Sequence, residues 1–156
     1  RVLSIAATHE LLSSQQDDNI QIEHLLKKVI DNVQRCFSGH REITLTYSLE
    51  PELCLDSSRA TSLALIVNEL LQNSYEHAFK DKKNQEKPQI HLQVGLKNDI
   101  INLKALDNGS GYNQEHSFEN HLGLLLVERF VQGKLFGTLS IHSDHEGTAT
   151  TIRFKK

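Results

Sequence analysis

The spacing of apolar residues switches back and forth between a helical and a strand period along this chain, which restricts it to folds in which amphipathic helices cover a sheet. Ile22, Leu25, Leu26, Val29, Ile30, Val33 and Phe37 recur every three or four residues, so a helix is expected up to Ser38-Gly39 with one stripe that must be covered. Ile43, Leu45, Tyr47 and Leu49 then alternate as a half-buried strand, and Pro51 ends it ahead of a short Leu53-Cys54-Leu55 segment. Asp56, Ser57 and Ser58 are cap candidates for a central helix over 59–79, whose stripe is Leu63, Ile66, Val67, Leu70, Leu71, Ser74 and Ala78. After a polar turn at 81–88, Ile90, Leu92 and Val94 pair with Ile101, Leu103 and Ala105 across Lys97-Asn98-Asp99 as a hairpin that delivers Asp107. Gly123 opens a helix to Gly133, and 139–142 with 150–154 form a second hairpin around Glu146-Gly147. The expectation is an α+β fold, a two-layer sandwich with a mostly antiparallel sheet covered by helices on one face.

With 156 residues, 38% of them hydrophobic, the chain has room for one domain and a substantial core. A net charge of −3 argues against a nucleic-acid groove or an anionic membrane surface as the main partner. Cys36 and Cys54 lack any paired ligand spacing and read as idle thiols, which fits a reducing, cytoplasmic compartment. No apolar run approaches the roughly 20 residues of a membrane span. Lacking methionine and opening Arg1-Val2-Leu3, the chain reads as an excised piece of a longer protein. Val2, Ile5, Ala6, His9 and Leu12 sit at helical spacing, and a helix this short needs a partner, either the rest of the domain or a second copy. The polar string Ser13 to Asn19 then interrupts the pattern, and the boundary expected lies between 1–18 and 19–156.

Two polar segments stand out from this pattern. Glu69 and Asn73, four residues apart on the central helix, offer a carboxylate and an amide oxygen of the kind Mg2+ accepts, although spacing alone favours a solvated helix face. Asp107-Asn108-Gly109-Ser110-Gly111 leaves a strand, and its glycines permit close backbone approach by a ligand; alone it would be a tight turn. Gly123 lies where a helix begins, and free N–H groups there favour phosphate. No Walker, Rossmann or protein-kinase glycine loop is present.

Asn-Glu-Leu-Leu-x-Asn-Ser-x-x-His-Ala-Phe at 68–79, Asp-Asn-Gly-Ser-Gly at 107–111, Leu-Gly-Leu-x-Leu-Val at 122–127 and Gly-Thr-x-x-x-Ile at 147–152 resemble the N box and glycine boxes of GHKL ATP-binding domains, with the sensor histidine kinases as the nearest branch. The resemblance spans about 22–156 and implies a Bergerat-type ATP-binding fold. It implies that Asn73 holds Mg2+ against the ATP phosphates, that Asp107 meets the adenine amine with Thr148 behind it, and that Gly109 and Gly111 shape the adenine end. Gly123 would face the phosphates across a lid at 112–121, and Glu69 would orient the metal or accept a proton. Residues 1–12 resemble the second helix of a dimerisation module in one kinase subclass, which makes His9 structural and places the phosphoacceptor histidine before this chain. A response-regulator receiver domain as partner and a homodimer in the full protein follow from the same resemblance.

Two positions depart from the family pattern. Glu76 stands where a basic residue is common and would repel phosphate, with His77 and Lys80 on the same flank as candidates to offset it; His121 stands where another glycine is common. These departures motivate a rival reading as a degenerate nucleotide-binding or dimer-scaffolding module, while the motifs alone also admit a GHKL serine kinase. His24, His40, His91, His116, His142 and His145 show no convergent ligand spacing, and Tyr75 and Phe79 read as packing residues.

Overall fold

A computed structural model of the chain describes residues 19–39, 42–80, 87–112 and 122–156. Residues 1–18, with His9, lie outside the described residues, as do residues 40–41 with His40, residues 81–86 of the turn expected at 81–88, and residues 113–121 with His116 and His121.

The elements in chain order are β1 (Ile20–Gln21), α1 (Ile22–Cys36), β2 (Thr44–Leu49), β3 (Cys54–Leu55), α2 (Ser57–Asn73), a π turn (Ser74–Ala78), β4 (Gln89–Lys97), β5 (Ile100–Asp107), α3 (Leu122–Gly133), β6 (Thr138–Asp144) and β7 (Gly147–Lys155). Five strands form one sheet in the order β2-β4-β5-β7-β6, antiparallel throughout except for the β2–β4 pair. The expected two-layer arrangement is present. Leu26, Ile30 and Val33 of α1, Leu63, Ile66, Val67 and Leu71 of α2, and Val127 and Val131 of α3 bury against Leu92, Leu103 and Ile152 of the sheet. Gln93, Lys104, Ser140 and Arg153 stay exposed on the opposite side.

The hairpin turn is Asn98-Asp99, both in the left-handed region at φ 51° and 59°, as a two-residue connection matched to strand twist requires. β2 is one of the two edge strands of this sheet, and there Tyr47 remains 44% exposed although its spacing predicts partial burial. A two-residue ladder that periodicity does not reveal joins Ile20 to Leu55 and Gln21 to Cys54, with the Ile22 N–H donating to the Leu53 carbonyl at 2.9 Å.

Of the three cap candidates it is Asp56 that starts α2: its Oδ1 accepts from the Arg59 N–H at 3.0 Å and its Oδ2 from Arg59 Nε at 2.6 Å. These bonds hold the Asp56 carboxyl below the usual carboxylate range. A carboxyl whose pKa is lower folded than unfolded stabilises the fold above the unfolded value of about 3.9. That contribution is lost as pH falls through the depressed folded value. Asp56→Ala is expected to cost about 1 kcal/mol in urea unfolding at pH 7, and progressively less as the pH of the measurement is lowered below about 4.

α2 lies between α1 and α3 as well as on the sheet, and so is buried on more than its apolar stripe. Asn68, Glu69 and Gln72 are only 1%, 3% and 5% exposed. The solvated-face reading of the Glu69 flank is thus overturned, because a helix with neighbours on three sides has no polar side at that level.

Candidate functional site

The α-helical pattern predicted to run on to Phe79 gives way after Asn73 to five residues of π-helix, the wide turn that tends to mark functional positions. The change brings Ser74 and Ala78 against the end of β5. Ser74 Oγ donates to Asp107 Oδ2 at 3.0 Å, and the Ala78 carbonyl accepts from the Ser110 N–H at 2.8 Å. Tyr75 turns away and stacks on Phe37 with ring centroids 4.9 Å apart, and Phe79 is buried, so both are packing residues as expected.

Asp107 is the last residue of β5 and faces Thr148 of β7 in register. Its Oδ1 accepts from the Gly109 N–H at 3.0 Å and the Thr148 N–H at 3.2 Å, so with Ser74 three donors fix the carboxylate from three sides. Asn108 points elsewhere. Its side chain accepts from the Gln89 N–H at 2.8 Å and donates to the Lys87 carbonyl at 3.1 Å, tying the loop to the start of β4.

The glycines of this loop are there because other backbone lies against them. A Cβ on Gly109 would run into the Ala78 carbonyl, and one on Gly111, at φ 67°, into the carbonyl of Asp144. Gly111→Ala therefore combines a left-handed φ with a backbone collision. It is expected to lower stability by about 1–3 kcal/mol, read from thermal or urea unfolding.

A cavity of about 270 Å³ opens between these parts, bounded by Asn73, His77, Asp107, Gly111, Thr148 and Leu124. Ser74, Lys80 and Tyr112 also line it. Burial pushes the Tyr112 hydroxyl up, and the nearby Asp107 charge adds to the effect, so the phenol stays neutral. Glu76 does not line this cavity. It borders a neighbouring groove with Phe37 and Tyr75, its Oε2 3.5 Å from His77 Nε2, so the wall expected to repel phosphate carries His77 and Lys80 instead.

The other end of the cavity is closed by the start of α3. A Cβ on Gly123 would come within 2.6 Å of Glu69 Oε2 and 3.4 Å of Asn73 Oδ1, which places this helix N-terminus directly over both side chains. Asn73 lines the cavity, and its Oδ1 is buried with no hydrogen-bond partner among the described residues. Glu69 sits behind Gly123 and outside the cavity lining.

The structure thus gathers Asn73, His77, Asp107, Gly111 and Thr148 around one space, with Gly109 supporting its floor and Glu69 and Gly123 at its far end. Sequence reasoning missed Ser74, read as part of the apolar stripe, although a hydroxyl within such a stripe is itself a signal. It also missed Ser143, which bonds Thr148 from β6. His142 is exposed on β6 and His145 on the turn that follows it, and no cluster of His, Cys, Asp and Glu suited to a metal exists among the described residues.

The sequence model of the histidine kinase-, DNA gyrase B- and HSP90-like ATPases matches residues 58–156, the stretch that carries every one of these side chains. The chain belongs to that ATPase family. Membership of that family implies nucleotide binding by the domain. Sensor histidine kinase PdtaS of Mycobacterium tuberculosis is 30% identical over 156 residues, covering 98% of this chain and 30% of the relative. The protein of that name from Mycolicibacterium smegmatis is 29% identical over 154 residues, covering 97% of this chain and again 30% of the relative. The chain therefore spans under a third of the length of these relatives. Among solved structures, the histidine kinase domain of a blue-light activated histidine kinase from Erythrobacter litoralis superposes with a TM-score of 0.85 at 20% identity, over 97% of this chain and 73% of that one. The catalytic domain of histidine kinase ThkA gives 0.72 at 13% identity, over 88% of this chain and 95% of that one. At such identities these two speak for the fold, and they agree with the order of strands and helices in this ATPase domain.

Proposed function

We propose that this chain is the ATP-binding catalytic domain of a sensor histidine kinase, and that the full protein passes the γ-phosphoryl group of ATP to a histidine outside these residues and then to a response-regulator aspartate. The observation that carries the reading is a single cavity with an immobilised carboxylate, Asp107, at one end and, under a helix N-terminus at the other, the buried acceptor Asn73 Oδ1, which has no partner among the described residues. One end suits a base bearing an amine; the other suits phosphates with a divalent cation.

Asp107 accepts from the exocyclic amine of adenine, and Thr148 lies beside it. Gly109 and Gly111, by packing the β5 loop on Ala78 and Asp144, shape the adenine end, and the N–H groups that open α3 at Gly123 face the phosphates. His77 and Lys80 add donors along the wall between. Asn73 fits a ligand for Mg2+, being a hard oxygen donor, and Mg2+ when bound neutralises charge on the phosphate oxygens. Glu69, buried behind Gly123 and outside the cavity lining, would orient the metal or accept a proton. Catalysis then rests on positioning and charge neutralisation, as is general for phosphoryl transfer.

By the same reading, residues 1–18 belong to the second helix of a dimerisation unit, the full protein is a homodimer and its phosphoacceptor lies outside this chain. No helix among the described residues is long and apolar enough to cross a membrane. Calorimetric titration is expected to show ATP binding that Mg2+ strengthens, and incubation with ATP labelled at the γ-phosphate is expected to leave His9 unlabelled. Absence of binding at millimolar ATP would favour the scaffolding alternative; label on His9 would overturn the placement of the phosphoacceptor.

A further inference from the structure

Thr148 lines the cavity and carries a hydroxyl, a group able to give or take a hydrogen bond. Its Oγ1 lies 2.8 Å from the Oγ of Ser143, on the neighbouring strand β6. Ser143 Oγ in turn accepts from the Tyr112 N–H at 3.0 Å. An oxygen that accepts one hydrogen bond becomes a better donor of the next, so the Tyr112 amide favours Ser143 giving its proton to Thr148. With that lone pair of Thr148 taken up, its own proton is directed into the cavity.

We infer that Ser143 is a positioning residue that fixes Thr148 as a hydrogen-bond donor to the base. The relay runs in one direction, from the Tyr112 N–H through Ser143 and Thr148 to the ligand. Thr148 lies opposite Asp107 across the β5–β7 ladder, and its N–H donates to Asp107 Oδ1. The cavity therefore offers a fixed acceptor, the carboxylate, beside a fixed donor, the hydroxyl. That pair matches an exocyclic amine next to an unprotonated ring nitrogen, the pattern of adenine at N1 and at N7. A 6-oxo purine, with an acceptor in place of the amine, presents the wrong polarity to Asp107.

This inference rests on the nucleotide reading of the site and adds to it a residue that touches no ligand. The test is a titration of wild type, Ser143→Ala and Ser143→Thr with ATP, 1-deaza-ATP and 7-deaza-ATP, with melting temperatures recorded alongside. Wild type should lose affinity for one of the two deaza analogues. Ser143→Ala should weaken ATP by about threefold to tenfold and take nothing further from that analogue, whose acceptor is already missing. Ser143→Thr, which keeps the hydroxyl, should restore ATP binding. Equal losses for all three nucleotides, or an unchanged affinity for ATP, would overturn the role of Ser143 while leaving the nucleotide site standing. Failure of the wild-type chain to bind ATP would overturn both.

Discussion

Asp107→Asn is expected to lower affinity for ATP by about a hundredfold while the domain stays folded. The asymmetry follows from the hydrogen bonds. An asparagine Oδ1 still accepts from the Gly109 and Thr148 N–H groups, and Ser74, which donates to Oδ2, can rotate its hydroxyl to accept from Nδ2. The internal bonds survive, so the melting temperature should move by no more than a few degrees. Toward the cavity, however, an acceptor has become a donor, and a donor facing the adenine amine leaves two N–H groups opposed in a desolvated place. The same change should favour inosine triphosphate relative to ATP, because its 6-oxo group accepts from Nδ2. Titration of both nucleotides against wild type and variant reads the prediction directly. Equal weakening of the two would show that Asp107 acts on the fold rather than on the base.

Asn73→Ala is expected to remove the dependence of ATP binding on Mg2+ and, in the full kinase, to lower phosphoryl transfer by two orders of magnitude or more, roughly the effect of losing one preorganised electrostatic contact. Unlike most buried polar truncations, it should leave stability unchanged or raise it. Asn73 Oδ1 has no partner to lose among the described residues, and removing an unsatisfied buried acceptor relieves its desolvation cost. Titrations with Mg2+ and with EDTA, paired with urea unfolding, separate the two effects. A large loss of stability would mean that Asn73 belongs to the packing of α2 against α3 instead of to the ligand.

The sequence made the architecture legible because each layer announces its period. The stripe of Ile22 to Val33 and the alternation of Ile101, Leu103 and Ala105 leave little choice of element, and Asn98-Asp99 fixes the register between β4 and β5. The β1–β3 ladder was hidden, since two residues are too few to show any period. At the site, Asp107, Gly109 and Gly111 could be picked out by order and spacing, but what their neighbours do could not. Glu69 is spaced for a solvated face and is buried instead, because it is covered by α3, a helix much later in the chain. Likewise the π turn depends on where β5 ends, and it is this turn that converts Ser74 from stripe to Asp107 partner. The family pattern puts Glu76 near phosphate by its position, whereas in the π turn it borders the neighbouring groove.

The β1–β3 ladder has a mechanical side. It clamps the backbone at Ile20 to the strand that ends immediately before the Asp56 cap, so a pull arriving from the amino-terminal direction is delivered to the foot of α2. At 17 residues, α2 is a stiff rod of about 25 Å, and Asn73 is its tip. The Asp56 cap beside the ladder and the Asn73 end of the cavity are thus the two ends of one continuous helix.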